Sequence, residues 1–439
     1  MIKTDLKEML IDLDKKHFIH PTSSLKQQQE SGAPFIFTEG NGVYLTDISG
    51  KKVLEGMASL WNVNVGYGRK ELAEAAREQM EKLAYTNSFS SMSNEPAIRL
   101  AAKIAELTTG DLNAVFFTSS GSECNDTAYK LARYYWKLKG SPEKTKIISR
   151  KKGYHGVNIG ATSATGISPF HEMTSSLAPD FLHVETFSTE ALRECIEREG
   201  ADTVAAFIAE PVQGAGGVNI APDGYFQEVR KICDEYNILF IADEVITGFG
   251  RTGKMFACEH YGIVPDIMLL AKGITSGYIP LGAVVVTDRI HKDLIEFSEG
   301  VLLHGYTYSG HATACAVALK NIEILEKENL IENSRLMGEE LLNGFNKLQK
   351  EIDIVGEVRT LGLIGAVEII NPETNNRFPT HIAPKVSAEA AKRGLICRTV
   401  VFEGMDTIVF SPPLVINKKE IEELISILRE ALLTVQQSL

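Results

Sequence analysis

At 439 residues the chain exceeds what one compact core usually supports, so one large domain and a smaller one are expected. A composition of 44% hydrophobic and 23% charged residues excludes a disordered or repetitive chain. A formal net charge of −12 with no Lys/Arg-rich run gives no electrostatic reason to hold nucleic acid.

The N-terminal "MIKTDLKEMLIDLDKKHF" alternates charge with Leu and Ile at helical spacing. It reads as a helix, not as a signal peptide or anchor, and no later segment has the roughly 18 apolar residues of a membrane span. "GVYLTDISGKKVLEG" (Gly42 to Gly56) alternates apolar and polar residues around Asp47-Ile48-Ser49-Gly50, a hairpin signal. "RKELAEAAREQMEKL" and "EPAIRLAAKIAEL" return to helical spacing. Short apolar runs then alternate with helices. "NAVFFT" precedes a helix from Ser122 and "TKIISR" follows it; "TVAAFIAE" precedes a helix near Tyr225 to Tyr236; "ILFIAD", "DIMLLA" and "LGAVVVT" complete the series. Such runs predict an α/β chain with a mainly parallel sheet flanked by helices, and functional loops at the C-terminal strand ends. From Glu332 the alternation loosens into an α+β pattern: a long amphipathic helix, "GEVRTLGLIGAVEII", a helix near His381 to Arg393, "GLICRTV", "TIVFSPP" and a final helix. The expected division is an N-terminal segment, 1–56, joining the small domain; a large domain, 57–331; and a small C-terminal domain, 332–439.

The six cysteines, Cys124, Cys195, Cys233, Cys258, Cys315 and Cys397, show no C-x-x-C pair and no regular spacing. Scattered thiols fit a reducing, cytoplasmic setting better than a disulfide framework or a zinc site.

Several strand ends carry residues suited to chemistry. "TSSGSECN" (Thr118 to Asn125) ends an apolar strand with a small, hydroxyl-rich turn that opens a helix. Ser120, Gly121 and Ser122 there make either an ordinary helix cap or an anion cradle suited to phosphate. Asp243 ends "ILFIAD", where a carboxylate is costly to bury without a cationic or proton-donating partner. It serves either as a helix cap or as the partner of a protonated ring nitrogen such as that of pyridoxal phosphate. Lys272 ends the run Ile267-Met268-Leu269-Leu270-Ala271 in "DIMLLAKGITSGYIPLGA". It is either an exposed strand end or an amine that holds a carbonyl as a Schiff base. The three features together are far more specific than any one of them.

"SGSECND", "GYHG" (Gly153 to Gly156), "AEPVQGAGG" (Ala209 to Gly217), "DEVITGFGRTG", "AKGITSGYIPLGA" and "HGYTYSGH" (His304 to His311) occur in this order. The chain thereby resembles the class III aminotransferases, pyridoxal-phosphate enzymes of fold type I, from about Phe35 to Pro413. The resemblance implies a large domain with a mainly parallel seven-stranded sheet and a smaller α+β domain. It makes Lys272 the Schiff-base lysine and Asp243 the ring-nitrogen partner. Ser120, Gly121 and Ser122 become the phosphate turn and Tyr154 the aromatic stacked on the ring, with His155, Glu210 and Val245 completing the cofactor site. Thr307, with Tyr306 beside it, matches a loop that reaches the phosphate of a neighbouring subunit, which implies a homodimer with shared active sites, or a tetramer built from it. His304 and His311, like His155, show no metal-ligand spacing and no metal is expected; Arg251 is read as structural. Cys124 stands where the family more often has alanine.

The same resemblance implies amino transfer from an ω-amino acid, primary amine or diamine to a 2-oxo acid. Trp61 in "SLWNVNVGYG" matches the substrate-pocket tryptophan of the amine:pyruvate branch, and Ser88 and Phe89 are expected to line the same cavity. Tyr154 is expected to touch the substrate as well as the cofactor. Members that use 2-oxoglutarate carry an arginine two residues before the first proline of an "FSPP"-like motif, and often a glutamate inside the "GAGG" turn. Here those positions are Val409 and Ala215. Arg398, in "GLICRTV", matches the mobile arginine of amine:pyruvate members, so pyruvate is the expected acceptor. The same fold also supports racemisation, aminomutation and decarboxylation, which remain the alternatives.

Overall fold

The computed structural model describes residues 2–439, with side chains from Leu6 onward. Its centre is a seven-stranded sheet whose strands are, in chain order, Leu112–Thr118 (β1), Lys146–Arg150 (β2), Phe181–Val184 (β3), Val204–Ala209 (β4), Leu239–Asp243 (β5), Ile267–Leu270 (β6) and Gly282–Thr287 (β7). Across the sheet the order is β1-β7-β6-β5-β4-β2-β3. Strand β7 runs antiparallel to both of its neighbours, and the others are parallel, in agreement with the expected mainly parallel sheet. Strands β4, β5, β6 and β7 are buried at every position, which is why they read as unbroken apolar runs.

Strand β3 has no counterpart among the predicted runs. It is four residues long, lies at the sheet edge and is mostly half-buried, so neither length nor apolarity announces it. The predicted run "GLICRTV" divides between two sheets. Leu395–Ile396 pairs in parallel with Lys52–Glu55 of the N-terminal hairpin, while Arg398–Val400 pairs antiparallel with Thr407–Phe410. That second sheet also contains Val355–Leu361 and Ile364–Ile369. The closing helix Lys418–Gln436 starts with a capping box, in which Asn417 and Glu420 satisfy each other's backbone N–H groups.

Because β7 is reversed, the C-terminal ends of the other six strands share one edge of the sheet. Thr118, Arg150, Ala209, Asp243 and Leu270 all end strands there. Arg251, left structural in the sequence reading, is fully buried beside that edge. It donates to the carbonyls of Leu363 (2.9 Å) and Pro412 (2.5 Å) and to Asn64 Oδ1 (2.8 Å), tying the large sheet to the C-terminal segment.

Candidate active site

A cavity of about 340 Å³ opens at this edge. Lys272 and Asp243 reach it from adjacent strands: Asp243 is the last residue of β5, in register with Leu269 of β6, and Lys272 lies two residues past the end of β6. Lys272 has φ 46°, a left-handed conformation that turns the chain sharply at the strand end. Enclosure by protein pushes its ammonium down to about 8, partly offset by the carboxylates of Asp243 and Glu210.

Asp243 is 4% exposed, and three donors hold it. Its Oδ2 meets Nδ1 of His155 at 2.8 Å and accepts from Asn125 Nδ2 at 3.1 Å; Oδ1 accepts from the Val245 N–H at 3.1 Å. Asn125 is in turn oriented by the Tyr129 hydroxyl, which donates to its Oδ1 at 2.8 Å. Glu210 follows β4, with Oε1 accepting the Tyr154 N–H (2.9 Å) and Oε2 the Gly214 N–H (3.2 Å). Burial pushes the Glu210 carboxyl up to about 7, the nearby His155 opposing and Asp243 reinforcing the rise.

The helix Gly121–Leu138 points its N-terminus at the cavity. Ser120 caps it by accepting from the Glu123 N–H at 3.2 Å, and Ser120, Gly121, Ser122 and Asn125 all line the wall. Glycine is required twice here. A Cβ on Gly121 would lie 2.9 Å from Val245 Cγ1, and one on Gly156 (φ 118°) only 2.4 Å from the Ser122 hydroxyl oxygen. Tyr154 also lines the wall and meets Phe170 edge-on at 5.3 Å.

The Trp61 ring is close to both Lys272 and Arg398, 5.6 Å from Lys272 Nζ and 5.2 Å from the Arg398 guanidinium, measured to the ring centroid. Burial pushes the Arg398 pKa down, with Tyr154 opposing.

The residues expected around the cofactor are therefore brought together in part. Ser120, Gly121, Ser122, Tyr154, His155, Glu210, Asp243, Val245 and Lys272 line one cavity, with Trp61 and Arg398. Ser88, Phe89, Tyr306 and Thr307 do not line it. They form a separate contact in which Ser88 donates to the Ser309 carbonyl (2.9 Å) and the Tyr85 hydroxyl to the Thr307 carbonyl (2.7 Å). Phe89 is 48% exposed, and the Tyr306 hydroxyl packs on Thr127 and the Glu123 carbonyl. The physical reason is the path of the chain: both segments are exposed or half-buried and pack against each other outside the cavity. Asn125, Phe170 and Phe402 line the cavity without having been expected there. Asn125 lies in the quoted "SGSECND" motif, one helical turn after Gly121; the two phenylalanines stand in no motif.

A helix N-terminus that favours an anion, a buried carboxylate facing a ring-sized space and a lysine shifted toward its neutral form fit the phosphate, ring nitrogen and aldehyde of pyridoxal phosphate. Cys124 packs beside the turn Ser120–Ser122, with Sγ 3.0 Å from Thr118 Oγ1, and burial pushes its thiol up to about 12. It fills a small space and has no nucleophilic character there.

A family model described as aminotransferase class-III matches residues 26–432. A putrescine–pyruvate aminotransferase of Pseudomonas aeruginosa is 43% identical, with 96% of this chain and 95% of that protein covered. A diaminobutyrate–2-oxoglutarate transaminase of Halomonas elongata is 38% identical, with 95% and 94% covered. The crystal structure of a transaminase from the marine bacterium Virgibacillus superposes with a TM-score of 0.96 at 55% identity, covering 98% of this chain and 99% of that one.

Proposed function

The chain belongs to the class III aminotransferases, pyridoxal-phosphate-dependent transferases, and from that membership we propose that it moves an amino group from an ω-amino acid, primary amine or diamine to pyruvate. Pyridoxal phosphate supplies an aldehyde that condenses with amines and a ring that takes up the electron pair released when a C–H bond breaks. The N–H groups and hydroxyls of Ser120, Gly121 and Ser122 would hold the phosphate, and Tyr154 would cover the ring. Asp243, its charge held in place by His155 and Asn125, would keep the ring nitrogen protonated. The Lys272 amine would hold the cofactor through its aldehyde, and when free its Nζ would serve as the base that takes and returns the substrate proton.

The observation that carries this reading is the convergence of Lys272, shifted to about 8, and triply held Asp243 in one enclosed cavity from neighbouring strands. The acceptor assignment is supported by the residues around Arg398. Val409, directly opposite it across the strand pair, is fully buried among apolar side chains, and Ala215 lines the cavity with a methyl group. Neither offers a fixed partner for a second carboxylate.

We place Ser88, Phe89, Tyr306 and Thr307 at the cavity of a second copy, in a homodimer with shared sites. Their position outside their own cavity supports this, as do the exposed apolar side chains Phe89, Leu303 and Tyr308 beside them. The division of the chain at 56/57 and 331/332 is part of the same proposal. No described helix is long and apolar enough to cross a membrane; six free, buried cysteines support a cytoplasmic setting.

A panel of amine donors with pyruvate, repeated with 2-oxoglutarate, tests the function. Alanine formed in step with loss of the donor amine is the expected result. A product that keeps its amino group would overturn it.

A further inference from the structure

The cavity wall formed by Trp61 is built on backbone that side chains rarely tolerate. Ala58, Ser59 and Trp61 have φ of 44°, 59° and 55°, all in the left-handed region. Something outside the loop has to hold it there. Glu55, the last residue of the strand Lys52–Glu55, is 1% exposed and does not line the cavity. Its Oε1 accepts the Met57 N–H at 2.9 Å. Its Oε2 accepts the Ser59 N–H and, at 2.9 Å, the Tyr67 hydroxyl, which lies 2.7 Å from the Ser59 hydroxyl.

One carboxylate thus satisfies the N–H groups on both sides of Ala58, at the point where the chain enters the strained segment. The Trp61 side chain has no hydrogen bond of its own. Its indole Nε1 is buried without a hydrogen-bond partner, and its ring sits in an apolar cluster with Met57, Ile246, Val400 and Val409. Apolar packing is non-directional, so the direction of the ring relative to Lys272 and Arg398 follows from the backbone that presents it.

We propose that Glu55 is a positioning residue for amine-donor selection: its carboxylate locks the segment 57–61 so that Trp61 forms the cavity wall facing Lys272 and Arg398. The proposal rests on the reading of that cavity as the substrate pocket. A glutamine in its place offers one acceptor oxygen where the carboxylate offers two, and so leaves either the Met57 or the Ser59 N–H unsatisfied.

The chain has two tryptophans, Trp61 and Trp136, so Trp136→Phe leaves Trp61 as the only indole emitter. In that background, holoenzyme carrying Glu55→Gln is compared with its parent for bound cofactor, acrylamide quenching and donor kinetics. Cofactor content is expected to stay unchanged and quenching of Trp61 to rise. The kcat/KM for a bulky amine should fall about 10- to 100-fold, mostly through KM, the range given by one unsatisfied buried donor. Tyr67→Phe, which removes one donor and leaves the carboxylate, should move quenching and KM the same way by less, and it carries the test if Glu55→Gln does not fold. With Trp61→Ala already present, Glu55→Gln should cost nothing further in donor selection. Unchanged quenching, or an equal loss with and without Trp61, would overturn the proposal. If Trp61→Ala alone leaves donor selection untouched, the pocket reading fails, and quenching still decides whether Glu55 governs Trp61.

Discussion

Arg398 and Val409 stand directly opposite each other on antiparallel strands, the arginine lining the cavity and the valine wholly enclosed in the apolar cluster that also holds Trp61. The strand pair thus presents one cation to the cavity. Removing one partner of a carboxylate pair in such a partly dry pocket costs about 2–5 kcal/mol. Arg398→Ala should therefore lower kcat/KM for pyruvate by roughly 30- to several-thousand-fold. The half-reaction with an amine that lacks a carboxylate should change far less. Pre-steady-state measurement of the two half-reactions separates these outcomes, and equal losses in both would show that Arg398 has another role.

Lys272→Ala should abolish turnover, while the phosphate turn and Asp243 still retain some cofactor. The depressed lysine also predicts a pH dependence. Below about 8 the ammonium form dominates and cannot attack an aldehyde, so capture of added pyridoxal phosphate by the apoprotein should quicken as pH rises through about 8 and then level off. A lysine at its ordinary value of 10.5 would keep gaining well beyond that point. The linkage has the same direction: the folded value lies below the unfolded one, so between pH 8 and 10.5 the unfolded chain binds more protons. This group then makes the apoprotein more stable as pH rises across that window. Stopped-flow absorbance measures the first effect and denaturant titration the second.

Asp243→Asn should preserve the fold, because its single amide oxygen can still accept from either Val245 or Asn125. It removes the negative charge that His155 Nδ1 and the ring proton face. Single-turnover proton abstraction should slow by roughly 100-fold or more. An unchanged single-turnover rate would remove the carboxylate from the electron-sink role.

Thr307→Ala should weaken cofactor retention. Mixed dimers of Thr307→Ala with Lys272→Ala test the shared site directly. If each cavity takes Lys272 from one subunit and Thr307 from the other, one of the two cavities in a mixed dimer has both residues intact and part of the activity returns. Activity no greater than that of the parent variants would return Thr307 to its own chain.

Lys272 and Asp243 were legible because each ends an uninterrupted apolar run, and a charged residue at the mouth of a buried strand stands out against its neighbours. The turn Ser120-Gly121-Ser122 was legible as a helix start because small, hydroxyl-rich residues stand between a strand and a helix, and that turn does open the helix Gly121–Leu138 at the cavity. Asn125 and the Asp243–His155 contact were hidden: their partners come from separate strand ends, and nothing in the local pattern of either segment records the meeting. Phe170 and Phe402 were hidden for a similar reason, since each stands outside any regular spacing and they meet only at the cavity rim, their ring centroids 6.0 Å apart. Ser88 and Phe89 show a different limit. Their sequence suggests a cavity lining, yet they lie outside this cavity, because hydrophobic patterning is the same for a cavity wall and for any other partly covered surface.

The cysteines beneath and around the sheet give the protein an internal clock. All six are buried and unpaired, and burial raises the thiols of Cys124 and Cys315 to about 12. A thiol so far from its reactive anion, and out of reach of solvent, is modified only when its surroundings open. Cys124 lies beside the turn Ser120–Ser122 with its thiol on the Leu270 carbonyl, whereas Cys397 lies beside the strand that carries Arg398. The order in which a small alkylating reagent reaches them would reveal whether the cofactor platform or the substrate-facing strand breathes first, without any probe having to be introduced.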